Sequence, residues 1–285
     1  MYDLMIIGSG PAGVSAALTA KARNLNFVWF GSRTLSTKIE KAEKIMNYPG
    51  LPAITGSEMQ AVFLKQIDDC GITITEAQVN SIYDCGGYFA AGADNEIYEA
   101  KSVIMTVGMT TTREIEGEAR LLGCGVSYCA TCDGALYKNK DIAVICATPK
   151  YEDEAAFLAE LANHIYLFTP YKETELKCDN ITHYHGLPAS VDGDNKVASV
   201  TFKGDTIPVS GAFFLRDSIN PGVLLSGLDM AGGHIIVDRT QKTNINGVYA
   251  AGDCTGRPYQ YAKAVGEGNV AVHSVLEYLK EHKDN

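Results

Sequence analysis

Six residues near the start, Gly8-Ser9-Gly10-Pro11-Ala12-Gly13, separate a short apolar run, Asp3 to Ile7, from a stretch of small residues, Val14 to Ala22. A run this short suits a buried strand, and small residues suit a helix packed closely upon it. Leu25 to Phe30 reads as a second buried strand. Strand, glycine turn, helix, strand is the order of a dinucleotide-binding unit. Its glycines permit the tight turn and let a pyrophosphate approach the helix N-terminus. The acid expected after the second strand, which would hold a ribose, is missing: Phe30 and Gly31 stand near that place. Another group must hold the ribose.

Val103 to Gly108 reads as a strand ending in glycine, and Ile142 to Ile145 as another, followed by a helix over Asp153 to Ala162 and a strand over Ile165 to Phe168. A second βαβ unit therefore begins near Ile142. From Val197 to Leu228, short apolar strands alternate with turns such as Lys203-Gly204-Asp205. Gly247 to Asp253 is a strand ending in Gly-Asp, and an amphipathic helix follows over Ala262 to Leu279. No short repeat is present, only two weakly similar βαβ halves. The 285 residues, 46% of them hydrophobic, suffice for two domains with cores of their own. A net charge of −10 argues against non-specific nucleic-acid binding, which needs a basic field. No apolar run reaches the roughly eighteen residues of a membrane span, and the start lacks the basic flank and cleavage site of a signal peptide. A soluble, cytoplasmic protein with no membrane or nucleic-acid partner is expected.

Of eight cysteines, only Cys129 and Cys132 are closely spaced, in Cys129-Ala130-Thr131-Cys132-Asp133. Two cysteines with two residues between them are able to close a disulfide across one helical turn. Half a zinc site or a pair of buried thiols is the bland reading. With no second cysteine or histidine pair at ligand spacing, redox chemistry is expected and a metal site is not; His183-x-His185 alone is a weak signal. The remaining cysteines are expected to be small buried hydrophobes.

Taken together, Gly8-Ser9-Gly10-Pro11-Ala12-Gly13, Asn47-Tyr48-Pro49-Gly50, Cys129-Ala130-Thr131-Cys132-Asp133-Gly134 and Thr243 to Asp253 resemble the low-molecular-weight flavin thioredoxin reductases, in order and over almost the whole chain. The resemblance implies an α/β fold of two Rossmann-like domains. A discontinuous FAD domain would span residues 1–113 and 242–285, with a smaller domain over 114–241 inserted in it and carrying the cysteines. It further implies thioredoxin as partner and a homodimer. Gly8, Gly10 and Gly13 would lie along the FAD pyrophosphate, Asp253 would accept from ribityl or phosphate-linked hydroxyls, and Asn47 and Gln260 would stand close to the isoalloxazine. Asn47 is also explained as the turn residue before Tyr48-Pro49-Gly50. Tyr259 replaces an arginine usual in the family, and its ring is suited to stack on the flavin. By the same resemblance Cys132 faces the flavin, Cys129 exchanges with the partner, and Asp133 is the general acid for a leaving thiolate. Asp133 is equally suited to cap a helix.

In that family the inserted domain binds NADPH, and here the matching positions depart. Cys146, Thr148 and Tyr151 replace the glycines expected after strand Ile142 to Ile145, so side chains stand where backbone must approach phosphate. Pro149 removes an N–H that an anion would use. Thr169-Pro170-Tyr171 replaces the His-Arg-Arg stretch that would fork onto the extra phosphate. The combination is similar to the ferredoxin-dependent flavin thioredoxin reductases, which keep FAD and the cysteines without a functional NADPH site. Ser36-Thr37-Lys38-Ile39, in place of Gly-Gly-Gln-Leu, shows that the flavin surroundings differ too.

Energetics agree with such a donor. A plant-type ferredoxin near −400 mV against thioredoxin near −270 mV leaves about 130 mV, roughly 6 kcal/mol for two electrons. Ferredoxins are generally acidic, so a basic patch is expected; Lys21, Arg23, Arg33, Lys38, Lys41 and Lys44 outnumber Glu40 and Glu43 in one segment. That segment is equally readable as ordinary solvated surface. Alternatives to the ferredoxin-fed reductase are a flavin dithiol oxidase using oxygen, a redox sensor that keeps FAD for structure, and an NADPH enzyme with an unusual pocket.

Overall fold

The computed structural model describes residues 1–40, 42–94, 96–109, 115–172, 174, 176, 178–216 and 221–282, without the side chains of Thr37 and Lys38. The chain forms two compact units, Met1–Thr110 with Leu224–Asn285, and Thr111–Val223. The expected crossing at residue 113 lies outside the described residues. The return crossing is at Leu224 rather than at 242. Leu225 bridges to Ile82, and the hairpin of Met230–Ala231 with His234–Ile235 precedes a loop in which the Ala250 N–H donates to Gln241. These ties hold 224–241 to the first unit.

The first unit centres on a parallel sheet ordered Val248–Ala250, Val103–Met105, Leu4–Ile7, Phe27–Phe30. Its strands are almost wholly buried, which is why they read as continuous apolar runs rather than alternating ones. Two helices pack together beside the sheet, Pro11–Ala22 and Tyr261–Glu281, and small residues let their backbones meet. A Cβ on Gly268 would overlap the Ala12 carbonyl, and Ser15 Oγ donates across to Val265 O at 2.7 Å. A third helix, Gly56–Asp69, starts on a capping box in which Thr55 Oγ1 accepts the Glu58 N–H and Glu58 accepts the Thr55 N–H at 2.8 Å. An antiparallel sheet of Val79–Asp84, Phe89–Ala93 and Glu96–Ala100 completes the unit.

In the second unit a parallel sheet runs Ile181–His185, His164–Thr169, Asp141–Cys146, Gly211–Leu215, Val126–Ser127, with helix Glu152–Leu161 packed on it through Ala155 and Leu158. The expected strands and helix of the second βαβ unit are therefore present, shifted by a residue at their ends. The Lys203-Gly204 turn joins Ser199–Phe202 to Asp205–Pro208, with both residues at positive φ, as a two-residue hairpin demands. Among the described residues, no helix is long and apolar enough to cross a membrane.

The expectation for the remaining cysteines needs correction. Cys146 and Cys254 are buried, but Cys70, Cys85, Cys124 and Cys178 are exposed. Cys70 caps the end of a helix, and Cys85 and Cys124 sit in turns at the surface.

The fingerprint glycines differ in what they serve. A Cβ on Gly13 would overlap the Gly8 carbonyl oxygen, and one on Gly8 would overlap that of Thr106, whereas a Cβ on Gly10 meets nothing within 4 Å. Gly13→Ala is expected to cost about 1–3 kcal/mol through overpacking. Gly10→Ala should leave the flavin-free fold within about 0.5 kcal/mol of the parent. Thermal or urea unfolding of the two variants checks the contrast.

Candidate active site

The glycine turn of the first unit is anchored from behind. Trp29 Nε1 and Thr106 Oγ1 both donate to Gly8 O at 2.9 Å, while Ser9 Oγ donates to Leu35 O and accepts the Ser32 N–H. The turn delivers the start of helix Pro11–Ala22, which has no side-chain cap and no acid in its first turn. Its first N–H groups are thus available to an anion.

In front of the turn lies a cleft of about 520 Å³, counting the part open to solvent. Of the expected cofactor residues, Gly10, Asp253 and Gln260 line it. Asn47 reaches it through Gln260, donating from Nδ2 to Oε1 at 2.6 Å. Gly8 and Gly13 stand behind the cleft and shape the turn. Tyr259 lines the cleft as well, its hydroxyl 2.7 Å from His234 Nε2 and the Arg257 guanidinium 5.5 Å from its ring centre. An elongated dinucleotide fits these features. Gly10 has no packing reason to lack a side chain, the helix start offers N–H donors, and Asp253 offers an acceptor for hydroxyls.

Sequence reasoning missed the pair behind Asp253. Lys263 and Glu267, one turn apart on the last helix, are joined at 3.1 Å and hold the Gly252–Gly256 turn from below. Their i, i+4 spacing was the available signal.

The redox turn lies in the second unit. Strand Val126–Ser127 at the sheet edge leads to Cys129, and a single helical turn, Ala130–Asp133, brings Cys132 back to it, with 5.3 Å between their Cα atoms and a disulfide between their sulfurs. Cys129 is half-buried and Cys132 exposed. Cys129, not Asp133, caps the turn: its Sγ accepts the Cys132 N–H at 3.1 Å. The Asp133 carboxylate instead accepts from Ser127 Oγ at 2.7 Å, and Ser127 Oγ accepts the Cys129 N–H at 3.1 Å. Ser127, unmarked in the sequence, thus links the acid to the cysteine backbone. Leu136, 66% exposed, follows closely.

Beneath this strand sits a buried ion pair. Glu118, fully buried, accepts from Arg216 and from the Tyr128 hydroxyl, and its other oxygen accepts the Ile115 N–H at 3.0 Å. Burial first, then the neighbouring Glu118 charge, pushes the Tyr128 phenol well above its ordinary range. Removing one member would strand a buried charge, and Tyr128 ties this group to the residue next to Cys129.

At the carboxyl end of the same sheet, where a nucleotide would enter a second βαβ unit, side chains fill the mouth. Cys146 ends its strand buried, with Sγ 3.3 Å from Thr148 O. Tyr171 donates to Glu152 Oε1 at 3.0 Å and lies 3.2 Å from Cys146 Sγ. Burial pushes both the Cys146 thiol and the Tyr171 phenol up. The first turn of helix Glu152–Leu161 carries Glu152, Asp153 and Glu154. Three acids at a helix start already satisfy its dipole and repel phosphate. These acids strengthen the departure expected from Cys146, Thr148, Pro149 and Tyr151.

The basic segment fares less well. Arg33 is spent on Asp68, contacting both carboxylate oxygens at 3.0 Å. Lys41 and the Lys38 side chain lie outside the described residues.

Comparison with known proteins agrees with this geometry. The sequence profile of the pyridine nucleotide-disulphide oxidoreductases matches residues 2–268. A thioredoxin reductase of Helicobacter pylori is 33% identical over 99% of this chain and 100% of its own. A crystal structure of a ferredoxin-flavin thioredoxin reductase from Clostridium acetobutylicum is 44% identical, covers 100% of this chain and 99% of its own, and superposes with a TM-score of 0.86. A thioredoxin reductase from Gloeobacter violaceus is 27% identical over 99% of this chain and 95% of its own, with a TM-score of 0.74. With its disulfide, its fingerprint turn and these relatives, the chain belongs to the FAD-dependent thioredoxin reductases of the pyridine nucleotide-disulphide oxidoreductase family.

Proposed function

We propose that this thioredoxin reductase takes its electrons from reduced ferredoxin and not from NADPH. The observation that carries this reading is the filled mouth of the second βαβ unit, where Tyr171, Glu152 and Cys146 occupy the approach to the helix start. The relative from Clostridium acetobutylicum, named for ferredoxin and 44% identical, supports it. FAD, when bound, accepts single electrons and delivers a pair to the disulfide.

The chain's own residues then divide the work. Gly10, Asp253, Gln260 and Asn47 hold and orient the cofactor in the first unit. Cys132 takes the electron pair, the Cys129–Cys132 bond opens with uptake of two protons, and the dithiol is ready for exchange. Cys129 attacks the disulfide of thioredoxin, and Cys132 then attacks the mixed disulfide, releasing the partner as a dithiol. Asp133 protonates the leaving thiolate, and Ser127 keeps its carboxylate turned toward Cys129. Exposed Leu136 offers apolar contact to the partner beside the redox turn.

The direct test supplies the FAD-loaded enzyme and thioredoxin with either reduced ferredoxin or NADPH and measures thiols formed. Turnover with ferredoxin and none above background with NADPH is expected; comparable turnover with NADPH contradicts the proposal. Cys129→Ser and Cys132→Ser are each expected to abolish thioredoxin reduction. Asp133→Asn should slow it by about a hundredfold or more, the usual share of a positioned acid, as stopped-flow measurement of thioredoxin reduction will show. Tyr171→Phe removes a hydrogen bond from the filled mouth. It should lower stability by about 1 kcal/mol in urea unfolding and leave the ferredoxin-driven rate unchanged.

A further inference from the structure

The cleft residue Asp253 sits in a five-residue turn bracketed by glycines at positive φ, Gly252 at +90° and Gly256 at +117°. Such backbone has little intrinsic preference for one shape and must be held by other groups. Within the turn, Cys254 is buried, with Sγ 3.3 Å from Ala251 O. Below it, Lys263 Nζ donates to Gly252 O at 3.0 Å, to Gly256 O at 2.8 Å and to Thr255 Oγ1 at 3.1 Å. One ammonium thus fastens both ends of the turn and its middle, using all three of its donors. Glu267 Oε2 accepts the Gly252 N–H at 2.8 Å and lies 3.0 Å from Thr255 Oγ1, so Gly252 is held by both its N–H and its carbonyl.

Lys263 and Glu267 are each only 18% exposed, so these charge-assisted bonds are largely shielded from water. Neither side chain lines the cleft. From this geometry we infer that Lys263, with Glu267 as its counter-charge, is a positioning residue for FAD: it sets the Gly252–Gly256 turn so that Asp253 meets the cofactor. The inference rests on the cleft as the FAD site and is independent of which donor feeds the flavin. Lys263→Met removes all three turn contacts and leaves the Glu267 carboxylate without its cation. Lys263→Met with Glu267→Gln removes the same contacts without the orphaned charge, and keeps a carbonyl oxygen for the Gly252 N–H.

The test measures FAD retention on the holoenzyme, from the rise in flavin fluorescence on dilution, together with the melting temperature of the flavin-free chain. Asp253→Ala serves as the control for the cleft. Both Lys263 variants should bind FAD at least about tenfold more weakly, the loss of roughly one charge-assisted hydrogen bond, while the double variant melts close to the parent. Parental FAD affinity in the double variant, with Asp253→Ala weakened, overturns the positioning role and leaves the cleft assignment standing. Parental affinity in all three variants overturns both. If Lys263→Met alone fails to fold, the double variant decides.

Discussion

The structure of the first unit depends on one carbonyl oxygen, that of Gly8. It accepts from Trp29 Nε1 and Thr106 Oγ1, and Gly13 closes on it with no room for a methyl group. That closure sets how near helix Pro11–Ala22 comes to the sheet, and with it the opening that Gly10 leaves for a pyrophosphate. Everything else in the cleft is arranged around this point, including the Gly252–Gly256 turn brought in from the last helix.

The second unit repeats the plan with the opposite outcome. Strand Asp141–Cys146 and helix Glu152–Leu161 keep the βαβ shape, because their apolar faces still bury against the sheet. The turn between them no longer needs to admit a phosphate. Side chains have entered it, and Tyr171 crosses from the next strand to bond Glu152 beside Cys146. The same architecture thus leaves the helix start open in one unit and lined by Cys146, Glu152 and Tyr171 in the other, and the difference is a handful of residues at the strand end. What the second unit retains is the edge strand Val126–Ser127 leading to Cys129, with the Glu118–Arg216–Tyr128 group beside it.

Much of this was legible in the sequence wherever meaning is local. The fingerprint turn, the Cys129–Cys132 pair and the Gly252-Asp253 strand end each combine a short spacing with a definite backbone shape. The residues that escaped notice act across long separations. Glu118 and Arg216 are 98 positions apart, and only folding brings them together; Tyr171 was marked, but its partner Glu152, 19 positions away, was not. Ser127 was near enough to its partners, yet serine is so common on surfaces that its position carried no signal, and the i, i+4 spacing of Lys263 and Glu267 is the spacing of many ordinary surface pairs. The compact units part at Leu224, ahead of the boundary expected at residue 242, and the two-residue strands of the hairpin at Met230–Ala231 and His234–Ile235 are too short to show periodicity in sequence.

On the proposed function, electrons enter at the flavin without passing through a bound nicotinamide. Anaerobic rapid mixing of the FAD-loaded enzyme, with no thioredoxin present, tests this half-reaction alone. Reduced ferredoxin should bleach the oxidised-flavin band in milliseconds to seconds, and NADPH in large excess should leave it intact over the same time. Prompt bleaching by NADPH would contradict entry of electrons from ferredoxin alone, because it would require a nucleotide to be seated where Tyr171 and Glu152 now stand.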